Sequence, residues 1–314
     1  MSRQNRFFSS PRPTTVETSN ITFQSRYLLR PGPRLNRLAV GALAKAQELY
    51  PVRVHAFCFL SNHWHVLATY DDPKQMADFH CHFQANLSRE AQIEHHWKGS
   101  VFQRRYHHVE LSREPGIELA RLKYVLAQGC KEGLVASPLD WPGASSTEAL
   151  LDRQPVEGIW VDRTALNAAQ RRGENVTEDD FTEVKHLVLE PLPGQAHLSP
   201  EAYRQIVLDK VTEIETETAA KHAVEKTQPT GAGAILSRNP HHEPEDVSKS
   251  PRPWFHAMDR EVRRAMRTAL TLIAVAYREA AERLKAGDRN ARFPEHTFPP
   301  GLPFVRSAEA AASG

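Results

Sequence analysis

Cysteine is scarce in this 314-residue chain: Cys58, Cys81 and Cys130 are widely spaced and odd in number. No C-x-x-C pair occurs, which argues against a zinc ribbon or a disulfide scaffold and fits a reducing cytosol. Long apolar runs are also missing. Nothing approaches the roughly eighteen consecutive apolar residues of a membrane span, so no membrane association is expected. The opening residues are polar, rich in Arg, Ser, Pro and Thr, and lack the apolar stretch of a signal peptide. A large excess of one charge is absent too. With 40 Lys and Arg against 38 Asp and Glu, the net charge is +2 and the pI about 8.4. That balance does not announce a nucleic-acid binder, and it leaves room for a local basic groove. There is no internal repeat.

What is present can build a core. Hydrophobic residues make up 40% and charged residues 25%, and the length suits one large domain or two smaller ones. Residues 1–19 read as a disordered leader. A first strand is expected over Ile21–Leu29, ended by Pro31-Gly32-Pro33. Leu35, Leu38, Ala42, Ala46 and Leu49 then recur at helical spacing. Val52–Leu60 and His63–Tyr70 read as a hairpin around Ser61-Asn62. Asp72-Pro73 opens a helix whose core stripe is Met76, Phe79, Phe83 and Leu87. A fourth strand is expected over Val101–Leu111, then a helix from Pro115-Gly116 to about Lys131, stopped by Gly133. The order β-α-β-β-α-β predicts an α+β fold over residues 20–150: a ferredoxin-like antiparallel sheet with a further, tyrosine-bearing helix.

The chemistry-bearing residues fall on two of these elements. In a strand, alternate side chains share a face, so His63 and His65 project together and Trp64 points into the opposite layer. Two neutral imidazoles on one face form half of a divalent-metal site. About sixty residues later, Arg121, Tyr124, Gln128 and Lys131 line one side of a helix, while Leu119, Leu122, Leu126 and Cys130 form its core stripe. An ion held by His63, His65 and Gln128 would keep most of its charge and could polarise a phosphate; Mg²⁺ or Mn²⁺ fits, with nitrogen ligands favouring Mn²⁺. Tyr124, one turn before Gln128 and flanked by cations that favour the phenolate, could attack phosphorus and conserve the bond energy as a phosphotyrosine. Ordinary roles stand beside these. Tyr124 alone reads as an amphipathic residue at a core edge, and Gln128 alone as a surface residue. Arg104 and Arg105 could contact phosphate or line a solvated strand face.

At this point the sequence resembles the single-tyrosine (HUH) transposases of the insertion-sequence class, including relatives associated with repetitive extragenic palindromes. The matched stretches are Asn62-His63-Trp64-His65-Val66-Leu67, Val101-Phe102-Gln103-Arg104-Arg105-Tyr106, Tyr124-Val125-Leu126-Ala127-Gln128 with Gly133-Leu134-Val135, and Trp141-Pro142 with Ser145-Ser146. The resemblance spans about residues 20–146. It implies Tyr124 as nucleophile, with His63, His65 and Gln128 as metal ligands. It also implies single-stranded DNA carrying a hairpin or palindrome as the partner, and cleavage that leaves a 5′-phosphotyrosine and a free 3′-hydroxyl. The setting would be the cytoplasm and nucleoid of a bacterium. Both homodimers and monomers occur among such proteins. Two departures stand out: Leu60-Ser61 replaces a common Met-Pro, and Gln128-Gly129-Cys130 replaces a common Asn-Pro, a change expected to loosen the turn.

Beyond residue 150 the chain is expected to be mainly helical: an extension over 151–226, a linker over 227–253, and over 254–314 a basic amphipathic helix with a Pro/Phe-rich tail. That helix is expected over Trp254–Lys285, with Arg260, Arg263, Arg264, Arg267, Arg278 and Arg283 off its apolar stripe. Arg104, Arg105, Arg121 and Lys131 are the candidate DNA contacts within the first domain. Two other functions compete with strand transfer. A domesticated relative would hold hairpins without cutting. A plain metal hydrolase would cut without a protein adduct, but no general base is evident beside the metal ligands.

Overall fold

The computed structural model describes residues 8–9, 13–244 and 253–300. Its first strand, β1, is Thr14–Ile21. There follow α1 (Pro33–Leu49), β2 (Arg53–Phe59), β3 (His63–Tyr70), α2 (Pro73–Glu94) and β4 (His107–Leu111). The tyrosine-bearing segment forms α3 (Ile117–Leu126) and α4 (Gln128–Lys131). The rest comprises α5 (Thr147–Asp152), β5 (Val156–Val161), α6 (Arg163–Arg171), β6 (Thr182–Leu187), α7 (Pro200–Glu225), α8 (Ala232–Leu236), β7 (Phe255–His256) and α9 (Arg260–Lys285).

The start of the fold corrects the sequence reading. Residues 14–19, expected in a disordered leader, belong to β1, and of the segment expected as the first strand only Ile21 lies in β1, followed by a bridge at Thr22 and a 3-10 turn at Phe23–Ser25. The run Thr14-Thr15-Val16-Glu17-Thr18 is rich in β-branched residues, which fit a pleated surface. Its polar groups are satisfied internally: the Thr15 and Thr69 hydroxyls lie 2.9 Å apart, and Thr18 Oγ1 donates to the Val66 carbonyl at 3.2 Å. Burial paid for by hydrogen bonds does not show as apolar alternation. Residues 1–7 and 10–12 of the expected leader lie outside the described residues.

The sheet runs β2-β3-β1-β4-β7. Its first four strands are antiparallel and in the ferredoxin-like order, and β7 joins β4 in parallel. Helix α2 starts as expected, with the Asp72 carboxylate accepting from Gln75 N at 2.8 Å and Pro73 in the first turn. The fourth strand is shorter than expected. Only His107–Leu111 forms β4, and Phe102 makes an isolated bridge to Thr22.

Both faces of the sheet are covered. On one face Phe57, Phe59, Trp64 and Val66 pack with α1 and with Phe79 and Phe83 of α2. On the other, Ala56, Cys58 and Leu67 pack with Leu122, Val125 and Leu126 of α3 and with Val207 and Ile214 of α7. The period-2 alternation of β3 therefore sends Trp64 to the first layer and the two histidines to the second.

The C-terminal part is mainly helical but contains a two-stranded sheet that sequence reasoning missed: β5 and β6, with α6 between them in the chain, pair antiparallel over six residues each. The segment expected as a linker is docked where it is described, since Thr230 N and Gly231 N donate to the carbonyls of Gly133 and Leu134; residues 245–252 lie outside the description. Helix α9 begins at Arg260 rather than Trp254, because Asp259 caps it and Phe255–His256 is used as β7. Its arginines at 260, 263, 264, 267, 278 and 283 are exposed. Of the tail, Phe293 packs on Tyr277, and Tyr277 Oη donates to the Phe298 carbonyl. Leu302, Pro303 and Phe304 lie outside the described residues. Among the described residues no helix is long and apolar enough to cross a membrane.

Candidate active site

Strand β3 supplies the two imidazoles. Their ring centroids are 5.1 Å apart, with the planes nearly perpendicular. His65 is buried and His63 half-buried. Each ring has its Nδ1 engaged: His63 Nδ1 lies 2.7 Å from Asn62 Oδ1, and His65 Nδ1 lies 2.6 Å from Glu17 Oε1. Both partners accept, so each Nδ1 is placed to carry a proton, and a ring in its neutral form then presents its lone pair at Nε2. Burial, then the charge of His65, pushes the His63 imidazole down to about 3; Lys131 adds to this and a hydrogen bond with Gln128 opposes it. A neutral ring is the form that binds a metal.

The helical segment supplies the phenol and the amide. Tyr124 on α3 lies with its ring 5.7 Å from that of His65, edge to face. The helix is interrupted at Ala127, and there the Gln128 amide donates to the Tyr124 carbonyl at 2.8 Å. Gln128 is 1% exposed, which removes its surface reading. Two cations bracket the phenol. The Arg121 guanidinium lies 3.9 Å above the Tyr124 ring, and Lys131 Nζ lies 4.5 Å from the ring and 3.3 Å from its hydroxyl.

The turn after the tyrosine is tight rather than loose. A Cβ on the buried Gly129 would meet Val135 at 3.0 Å and the Trp141 ring at 3.1 Å. The small residue there allows α4 to close against the Trp141 indole, whose Nε1 donates to the Phe59 carbonyl at 3.0 Å. Gly133 takes the left-handed conformation expected of a helix stop, at φ 67°.

Sequence reasoning missed Glu17. It is 3% exposed, and its second oxygen accepts from Arg121 Nε. Burial acts to raise its carboxyl, but the hydrogen bond and charge of His65, and then Arg121, outweigh it and hold the group below the ordinary range. His256 on β7 stands at the same wall. Burial, and next the Arg121 charge, push its imidazole down to about 4. The register could have flagged Glu17 once β1 was placed: Ser19 is opposite His65 and Ile21 opposite His63, so odd-numbered β1 residues share the histidine face.

Arg121 is therefore committed to Glu17 and the Tyr124 ring, whereas Lys131 is exposed. Arg104 and Arg105 lie elsewhere, in an exposed turn whose Arg104 carbonyl takes a hydrogen bond from Asn20, opposite Trp64 on the other face.

Among the described residues no three His, Cys, Asp or Glu side chains converge as a metal site. A divalent ion would need the Gln128 amide oxygen beside the two Nε2 atoms. The donor set fits: two imidazoles whose Nδ1 atoms face away to acceptors, one of them a carboxylate, and an amide on the neighbouring helix.

No family model matches the chain, and no curated protein matches it. One solved structure, that of a REP-associated tyrosine transposase bound to a REP hairpin, is similar at 19% identity and a TM-score of 0.38, over 49% of this chain and 87% of that one. A likeness at that level does not establish a shared family.

Proposed function

We propose that this chain is a metal-dependent endonuclease and strand transferase for single-stranded DNA, a transposase-type enzyme with Tyr124 as its nucleophile. The observation that carries the proposal is the meeting of His65 and Tyr124, from a strand and a helix about sixty residues apart in sequence, with rings 5.7 Å apart. His63, His65 and Gln128 would hold the ion. Bound there, Mg²⁺ or Mn²⁺ would polarise the scissile phosphate.

Tyr124 Oη attacks phosphorus, the Oη–P bond forms and the bond to the 3′-oxygen breaks. The phenol proton leaves and the departing 3′-oxygen takes one up, giving a 5′-phosphotyrosine and a 3′-hydroxyl. Lys131 donates to Oη in the free site and fixes the phenol's direction. The phosphotyrosine retains the bond energy, so a second 3′-hydroxyl can displace it without ATP. Hairpin-flanked DNA as substrate follows from the motif resemblance.

The test is a panel of hairpin oligonucleotides incubated with Mn²⁺ and resolved under denaturing conditions. Tyr124→Phe is expected to abolish the covalent adduct and keep DNA binding. Cut DNA without any adduct in the unaltered protein would mean a plain hydrolase. Binding without cutting across the panel would mean a hairpin-holding protein.

A further inference from the structure

We infer that Glu17 is a positioning residue that sets the metal ligand and the nucleophile in register, one carboxylate oxygen for each. Oε1 accepts from His65 Nδ1 at 2.6 Å and Oε2 accepts from Arg121 Nε. The Arg121 guanidinium in turn lies 3.9 Å above the Tyr124 ring. An unbroken path therefore runs from the imidazole through the carboxylate and the guanidinium to the phenol. Glu17 sits in β1, hydrogen-bonded between β3 and β4, so the bridge is anchored on a central strand. A site on such a strand is held more tightly than one on a loop.

Two consequences follow for the reaction proposed above, on which this inference rests. First, the carboxylate fixes the tautomer of the neutral His65 ring: the proton stays on Nδ1 and the lone pair on Nε2. Second, Arg121 is occupied, since its charge is matched by Glu17 and its face by the tyrosine ring. It orients Tyr124 rather than contacting a phosphate, and Lys131 is the cation left at the phenol oxygen.

The bridge requires an acceptor at both ends, and this makes it testable. A glutamine has the same shape but only one acceptor. Arg121 keeps the amide oxygen because a charge-assisted bond is the stronger. The amide NH₂ then faces His65 Nδ1 and shifts the proton to Nε2, so a metal binds there only after that tautomer is reversed. Glu17→Asp retains the charge but is one methylene too short to reach both partners.

The experiment has three readouts on the full-length chain. Nitrogen-15 NMR of the metal-free protein reports the His65 tautomer, Mn²⁺ titration followed by EPR reports affinity, and the denaturing gel reports adduct at saturating Mn²⁺. In Glu17→Gln the tautomer is expected to move to Nε2–H, with Mn²⁺ affinity falling about 10- to 100-fold. In Arg121→Ala the tautomer and affinity should stay as in the unaltered chain while adduct formation falls about 100-fold, the scale of a small misplacement of a reacting group. Glu17→Asp should lose at least one of the two links. If Glu17→Gln keeps Nδ1–H and unaltered Mn²⁺ affinity, the inference is overturned, whatever its melting temperature does. If instead the unaltered chain forms no adduct, the strand-transfer reading fails while the tautomer and Mn²⁺ readouts still decide the role of Glu17.

Discussion

Away from the site, buried charge is gathered at Arg163, a 7%-exposed residue at the start of α6. Its Nε donates to Glu90 on α2 at 2.8 Å and its Nη1 to Glu178 at 2.5 Å; Arg34 on α1 bonds both Glu178 and Glu94. Burial acts to raise the Glu178 carboxyl, but the hydrogen bonds from Arg163 and Arg34 outweigh it and hold it below its ordinary value. A carboxyl depressed in the folded state adds stability that is complete above its unfolded value and is lost as pH falls through its folded value. Glu178→Gln should therefore lower stability at neutral pH by about 1 kcal/mol, a figure discounted for partial exposure. The gap to the unaltered chain should close in acid below the ordinary carboxylate range. Urea unfolding at a series of pH values checks this, and a gap independent of pH would refute it. Arg163→Ala should be harsher, about 3–5 kcal/mol, because Glu90 would be left buried and unpaired. At the same scale, His63, His65, Tyr124 and Gln128 were legible because periods of 2 and 3.6 dictate which side chains share a face. Glu17 was not, because nothing local in a threonine-rich run says that a carboxylate there will meet a histidine from another strand.

Among elements, the packing of the β5–β6 sheet on α1 turns on two glycines. A Cβ on Gly41 would lie 1.9 Å from the Ile159 carbonyl oxygen, and one on Gly158 would lie 2.2 Å from Gly41 N. The two backbones touch at this crossing. For Gly41→Ala, two effects compete. Helix propensity favours alanine by about 1 kcal/mol. The clash is with backbone, which cannot swing away as a side chain can, and overpacking costs typically about 1–3 kcal/mol or more. The clash should win, so Gly41→Ala and Gly158→Ala are each expected to destabilise the chain in urea. A stabilised Gly41→Ala would mean that the β5–β6 sheet does not sit on α1. This contact also explains why the β5–β6 sheet was missed: β5 packs by a glycine, and only Gly158 and Val161 of its six residues are buried. The hairpin of β2 and β3, with its long apolar runs, was read correctly to within a residue at each end. The shortening of the fourth strand has a similar origin. Val101, Phe102 and Tyr106 look strand-like, but Val101 and Tyr106 are buried in an irregular segment that packs on the α1–α2 side.

For the molecule as a whole, the open matter is whose tyrosine serves whose metal site. Within one chain Tyr124 already stands beside His65, and the C-terminal part secures it there. Helix α7 lies along α3 and α4, burying Val207, Val211 and Ile214. Lys123 on α3 pairs with Glu213 and Glu217 of α7, and Lys221 donates to the Lys131 carbonyl at 3.1 Å. The Gly133 and Leu134 carbonyls, just past the tyrosine segment, are held by Thr230 and Gly231. Exchanging this segment with a second copy would require either breaking these contacts or moving α7 with it. The exposed ion pairs contribute little singly, so the apolar face of α7 is the main restraint. The site should accordingly be completed within one chain. Mixing Tyr124→Phe with His65→Ala tests this directly, because each variant retains the half-site that the other lacks. Adduct formation by the mixture should stay at the level of the separate variants. Recovery on mixing would place the tyrosine in a partner's site. It would also mean that α7, which here braces the phenol beside its own histidines, travels with the exchanged segment.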